Sequence, residues 1–144
     1  MIWLLDTNTI IHALNGVPRV RDRLNAVPDS DQIVTSTVVV AELIYGAECS
    51  ARREENRQSI REKLQQIDVL PVTLAIADRF GVVKAQLRSR GRLKADFDLM
   101  IAATALELGA TLVTDDGPLL GGDITGLLVA NWLARWVRAV DGTL

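Results

Sequence analysis

Short apolar runs alternate along this chain with longer stretches in which apolar residues recur every three or four positions. The runs at residues 2–5, 32–35, 69–71, 111–113 and 127–129 have the length and composition of strands. Helical period fills the gaps. A first helix is expected over 9–14, ended by Asn15 and Gly16, and a second over 19–26, bounded by Pro18 and Pro28. The segment "STVVVAELIYGA" reads as a third, capped by Ser36 or Thr37. Residues 52–67 place Ile60, Leu64 and Ile67 on one face among charges, so this helix is amphipathic and packs by that face alone. Two more helices are expected over 74–90 and 98–108. Such alternation predicts an α/β fold, a small and mainly parallel sheet flanked by helices on both faces. No repeat, linker or low-complexity segment interrupts it, which predicts one domain over residues 1–144.

Acidic residues break the pattern at places where an apolar or neutral residue would serve the fold. In "IWLLDTNTIIHAL" the first strand ends in Asp6. Asp6 is either the cap of the next helix or a ligand at the carboxyl end of the strand; in the second case Thr7 or Asn8 can do the capping. Glu42 is the only charge between Val38 and Ala47, on a helix that reads as buried nearly all round. An ionised carboxylate there costs several kcal/mol unless it meets a cation, a donor or a metal, or reaches the surface at the helix edge.

Asp98 falls in the first helical turn of "ADFDLMIAATALELG", where the helix dipole favours acids. It shares its face with Ile101, Ala102 and Ala105, however, an inward face, which leaves Asp96 as the better candidate for the cap. A strand also ends in acids in "ATLVTDDGPLL", where Asp115 and Asp116 precede a Gly-Pro turn signal. In open α/β sheets ligands bind beyond the carboxyl ends of the strands. If the strands at 2–5 and 111–113 are parallel neighbours, Asp6 and this acidic pair converge. Converging carboxylates make a hard, oxygen-rich site suited to Mg²⁺ or Mn²⁺.

Nearly half the residues (49%) are apolar and 24% charged, the balance of a globular chain rather than a disordered one. The formal charge of −2 gives no overall attraction to nucleic acid, so a polyanion has to be met by a local patch. "RFGVVKAQLRSRGRLK" offers one: Arg79, Lys84, Arg88, Arg90, Arg92 and Lys94 without a single acid. It is either a solvated helix face or a rim that contacts phosphates. The one histidine, His12, reads as a surface or packing residue rather than a base, and the one cysteine, Cys49, as inert packing at the end of its helix. A lone cysteine excludes a disulfide framework. Glycine-rich phosphate loops and paired Cys-x-x-Cys motifs are absent, which removes dinucleotide, P-loop and zinc chemistry. No apolar run approaches the roughly 18 residues of a membrane span and no secretory leader is apparent, so a soluble cytoplasmic protein is expected.

Taken together, "LLDTN", "VVVAELIYGA", "DFDLMIAATALELGATLVTDD" and "ITGLLVANW", in this order and spacing over almost the whole chain, resemble the PIN-domain ribonucleases, and among them the VapC-type toxins of toxin–antitoxin pairs. The resemblance implies an acidic triad of Asp6, Glu42 and Asp98, with Asp116 rather than Asp115 in the fourth position. Asn8 and Thr114 match polar positions that help to hold the site. It further implies a Mg²⁺- or Mn²⁺-dependent endoribonuclease with one or two ions, an RNA substrate met by Arg88, Arg90, Arg92 and Lys94, a cognate antitoxin and a homodimer. The helices around 37–67 are the expected partner surface. One departure stands out: the family often carries an aromatic residue shortly after the fourth acid, where "GPLLGG" supplies Leu119 and Leu120, so a shorter or more mobile loop is expected. A different class of function, a catalytically silent RNA- or partner-binding module, would keep the fold without needing the four acids. A phosphoacceptor Asp6 is disfavoured, since Asn8 stands where the second acid of a DxDx[TV] signature would be.

Overall fold

Every apolar run of strand length enters one parallel sheet. The computed structural model describes residues 1–134; residues 135–144, part of the single domain expected above, lie outside the described residues. The elements follow as β1 (Ile2–Leu5), α1 (Thr7–Leu14), α2 (Pro18–Ala26), β2 (Gln32–Ser36), α3 (Thr37–Glu48), α4 (Arg53–Leu64) and β3 (Asp68–Leu70). The second half contains α5 (Leu74–Ser89), α6 (Asp96–Leu108), β4 (Thr111–Val113), α7 (Gly117–Leu120) and β5 (Leu128–Ala130). The strands lie in the order β3-β2-β1-β4-β5, all parallel. Helices flank the sheet, so its central strands are covered and read as continuous apolar runs. Leu4, Leu5, Leu112 and Val113 are fully buried, as are Val39 of α3 and Leu99 and Ile101 of α6.

The chain builds outward from β1 to β2 and β3, then returns to the other side of β1 for β4 and β5. That reversal makes the β1/β4 boundary the topological switch point, where a crevice opens beyond the strand ends. Leu5 is paired with Val113 there, and the Asp6 amide donates to the Val113 carbonyl at 3.0 Å, so the ladder delivers Asp6 and Thr114 side by side. Gly109 ends α6 in the left-handed region (φ 64°), which lets the chain enter β4 two residues later. The helices that carry Glu42 and Asp98, α3 and α6, pack against each other.

Several boundaries differ from the sequence expectation for local reasons. Helix α1 starts at Thr7 because Asp6 itself caps it, accepting from the Thr7 amide at 2.7 Å; neither Thr7 nor Asn8 is the cap. Ser36 caps α3 through the Val38 amide. Helix α6 starts after Ala95, which has no side chain to cap with, and Asp96 lies in the first turn, paired with Lys84 at 2.8 Å. Helix α3 is buried only along Val39, Leu43 and Ala47, whereas Ala41, Gly46 and Tyr45 (72% exposed) face outward. Cys49 follows the end of that buried stripe and is exposed rather than packed. The Gly-Pro turn after Asp116 opens a short helix, α7, with proline in its first turn. Among the described residues no helix is long and apolar enough to cross a membrane.

Candidate active site

Four carboxylates from four parts of the chain meet at the switch point. Asp6 follows β1, Glu42 comes from the middle of α3, Asp98 from the first turn of α6, and Asp116 stands just before α7. Two threonines tie them together. The Thr7 hydroxyl donates to Glu42 Oε1 at 2.9 Å while its amide donates to Asp6 Oδ1, so one residue links two of the acids. The Thr114 hydroxyl donates to Asp6 Oδ2 at 2.7 Å and accepts from the Asp116 amide at 3.0 Å. A hydroxyl has one proton to give and two lone pairs to receive with, so Thr114 spends its only proton on the buried acid. Thr9 supports the same corner by donating to the Val113 carbonyl at 2.9 Å.

The field in the cleft is strongly negative. Burial raises the pKa of Asp6; the hydrogen bonds from Thr114 and Thr7 oppose this, and the charges of Asp116 and Asp115 add to it. For Asp98 the pKa is pushed from 3.8 to about 7, first by burial, then by the neighbouring Asp116 carboxyl group, then by the charges of Asp6 and Glu42. Asp6 and Asp98 are thus held by the fold against the charge of their acidic neighbours. Oδ2 of Asp116 is buried and no donor meets it.

Asp115 and Asp116 are adjacent in sequence yet differently employed. Asp115 accepts from the Asn8 amide at 3.2 Å through one oxygen and pairs with His12 Nε2 at 3.0 Å through the other, so both its oxygens are engaged while its charge still reaches Asp6. His12 is therefore half-buried and engaged with the acidic segment, not a loose surface residue. The arrangement separates the two aspartates in a way that their order in the sequence could not.

All the donors in the cleft are oxygens, and an orphaned, buried carboxylate oxygen among mutually repelling acids fits a hard cation in kind. Among the described residues, no three Asp, Glu, His or Cys side chains stand in the arrangement of a formed metal site. Asp6, Glu42, Asp98 and Asp116 are the residues that could hold one.

The basic run is less free than its composition suggests. Arg79 pairs with Glu107 at 3.1 Å, Lys84 with Asp96, and Lys94 with Asp123 at 2.9 Å, while Arg90 donates to the Asp123 carbonyl at 2.7 Å. Arg88 and Arg92 are exposed and make no ion pair among the described residues. The sequence reading missed Thr7 as a link between acids, and it missed the anchoring of Asp115 and Asp123. Only a polar residue beside an acid could have hinted at the first; the others are contacts between residues 103 and 29 positions apart.

Comparison with known proteins agrees with this architecture. The chain is 37% identical over 115 residues to the tRNA(fMet)-specific endonuclease VapC of Shigella flexneri, covering 79% of this chain and 86% of that protein. It is 29% identical over 133 residues to Ribonuclease VapC2 of Rickettsia felis, covering 92% of this chain and 98% of that one. A chain in the crystal structure of VapBC2 from Rickettsia felis, bound to a DNA fragment from their promoter, superposes with a TM-score of 0.85 at 28% identity over 92% of this chain and 99% of its own. The PIN domain family model matches residues 3–119, a span that includes every acid of the cleft, and the chain belongs to that family.

Proposed function

We propose that this chain is a metal-dependent endoribonuclease of the VapC type, the toxin of a toxin–antitoxin pair, acting as one domain in the cytoplasm. The observation that carries this reading is the convergence of four carboxylates at the switch point, with one buried oxygen of Asp116 left without a donor. The relatives' names, a ribonuclease and a tRNA(fMet)-specific endonuclease, support RNA as the substrate. Asp6, Glu42, Asp98 and Asp116 would hold one or two Mg²⁺ or Mn²⁺ ions. When bound, such an ion neutralises charge on the scissile phosphate and lowers the pKa of the attacking water. The chain's own part is orientation. Thr7 aims Glu42 and Asp6 together, Thr114 fixes Asp6 against Asp116, and Asn8 holds Asp115. Purified full-length chain incubated with RNA should produce defined new ends in Mn²⁺ and none in chelator. Intact RNA under both conditions would overturn the nuclease reading.

Arg88 and Arg92 are the cations best placed to contact RNA phosphates, with Arg90 and Lys94 at the same rim but fastened to Asp123. Replacing both with Glu should weaken RNA binding and reduce the slope of log K against log salt by about 1.4, at about 0.7 per lost phosphate contact on a single strand. Binding titrations between low and moderate salt measure this directly. An unchanged slope would return the two arginines to an ordinary solvated face.

Solved complexes of relatives described as VapBC support a cognate antitoxin as partner. A groove of about 320 Å³ runs between α1, α3 and α4, lined by Ile11, Leu14, Leu43, Ala47 and Ile60, and reaches Glu42. An antitoxin segment seated there would lie beside the acids, on the surface that the amphipathic helices of residues 37–67 were expected to form. The exposed Ala41 and Tyr45 face of α3 is the accompanying candidate for homodimer contact.

A further inference from the structure

The loop that carries Asp116 has little to hold it by itself. Helix α7 is four residues long and begins with Gly117, Leu119 is its one buried side chain, and Gly121 and Gly122 follow it, the latter at φ 80°. Asp116 nevertheless has to be kept near Asp98 although both are acids. Its amide donates to Thr114 at the near end, and a second set of contacts stands at the far end of the loop. Lys94 Nζ lies 2.9 Å from Asp123 Oδ2 with its side chain only 7% exposed, and Arg90 donates to the main-chain oxygen of the same residue at 2.7 Å.

Lys94 stands four residues before Asp98 in the segment leading into α6, and Asp123 seven residues after Asp116. The clamp therefore joins the two chain segments whose acids face each other. The Lys94 side chain is 7% exposed and that of Asp123 32%, and such half-buried pairs contribute a fixed geometry more reliably than stability.

We propose that Asp123, held by Lys94 and Arg90, is a positioning residue for the acidic site: it fixes the loop from Asp116 onward against the start of α6 and so sets Asp116 opposite Asp98. This rests on the metal-site reading above. Supporting residues that orient a ligand typically change metal affinity by about ten- to a hundredfold when removed.

The test compares wild type with Lys94→Met/Asp123→Asn, which removes the ion pair without leaving a lone buried charge and so keeps the fold. Three quantities are read: amide exchange at Leu119 and Leu120 without metal, Mn²⁺ affinity, and the kcat and KM of RNA cleavage. Those amides donate to the Asp116 carbonyl and report the loop directly. Faster exchange there, about tenfold weaker Mn²⁺ binding and a lower kcat are expected, the scale seen when a ligand loses its support; because Lys94 also stands at the RNA rim, KM is not the deciding quantity. As a second variant, Arg90→Gln alters an exposed side chain and leaves the ion pair in place; it should shift exchange in the same direction by a smaller factor. If wild type binds Mn²⁺ and the double variant matches it in exchange, affinity and kcat, the positioning role is overturned. If wild type itself binds no Mn²⁺, the metal-site reading fails, and the positioning role with it.

Discussion

Induced production of the wild-type chain should arrest growth of its host, and Asp6→Asn or Glu42→Gln should abolish the arrest at matched soluble levels. Both substitutions keep shape. Asn at position 6 still accepts from the Thr7 amide, and Asn caps helices about as well as Asp, so α1 keeps its start. Gln at position 42 still offers an oxygen to the Thr7 hydroxyl. What each removes is one negative charge from the cleft. Each would therefore weaken the hold on the cation that neutralises the scissile phosphate; losing such charge stabilisation is of the order of a hundred- to a thousandfold in rate, and cleavage by the purified variants should fall on that scale. Colony counts after induction, with cleavage assays in parallel, check both levels. A silent binding module would act through its surface, so equal toxicity of wild type and both variants would favour that alternative over the nuclease.

The second large effect concerns Asp98 and turns on the sign of its pKa shift. Its folded pKa of about 7 lies above the unfolded 3.8, so between these values the folded state binds the extra proton. Stability from this group is then fully present at low pH and lost as pH rises from about 4 through 7. In chelator, wild type should melt at lower temperature at pH 8 than at pH 5 through this group. Asp98→Asn, which has no such charge to desolvate, should lack that part of the decline and melt no lower than wild type at pH 8.

Divalent metal reverses the sign. At about a hundred times its dissociation constant it contributes roughly 2.7 kcal/mol, on the order of 8 °C for a domain of this size, and the rise should grow with pH as the acids ionise. Asp98→Asn should lose most of that rise. If Asp98 served only the dipole of α6, the substitution would cost up to about 1 kcal/mol with and without metal alike. Melts of the two proteins in chelator and in Mn²⁺ at both pH values separate these outcomes; a loss independent of metal and of pH, with cleavage intact, would remove Asp98 from the site.

Much of this molecule was legible in the order of its residues. Strand-length runs of Ile, Leu and Val separated by helical periods specify a covered parallel sheet, because only a sheet buried on both faces needs continuous apolar strands. An acid at the end of such a run, as at Asp6 and Asp115–Asp116, marks the edge where ligands bind. Asp98 was visible as a charge on a face otherwise committed to packing, and Glu42 as the one charge in an apolar run, although its side of α3 is only half-buried. The tertiary structure alone decided the rest, because it depends on which distant side chains meet. Asp6 turned out to cap α1 and to stand in the cleft at once, since its two oxygens point to different partners, the Thr7 amide and the Thr114 hydroxyl. Asp115 and Asp116 are indistinguishable as letters. His12 and Asn8, over a hundred residues earlier, take the first and leave the second facing Asp98. The basic run likewise reads as six free cations until Glu107, Asp96 and Asp123 occupy four of them. Periodicity is a local property and survives in the sequence. Pairing between charges is set by where the folded backbone brings them, and the sequence carries no record of it.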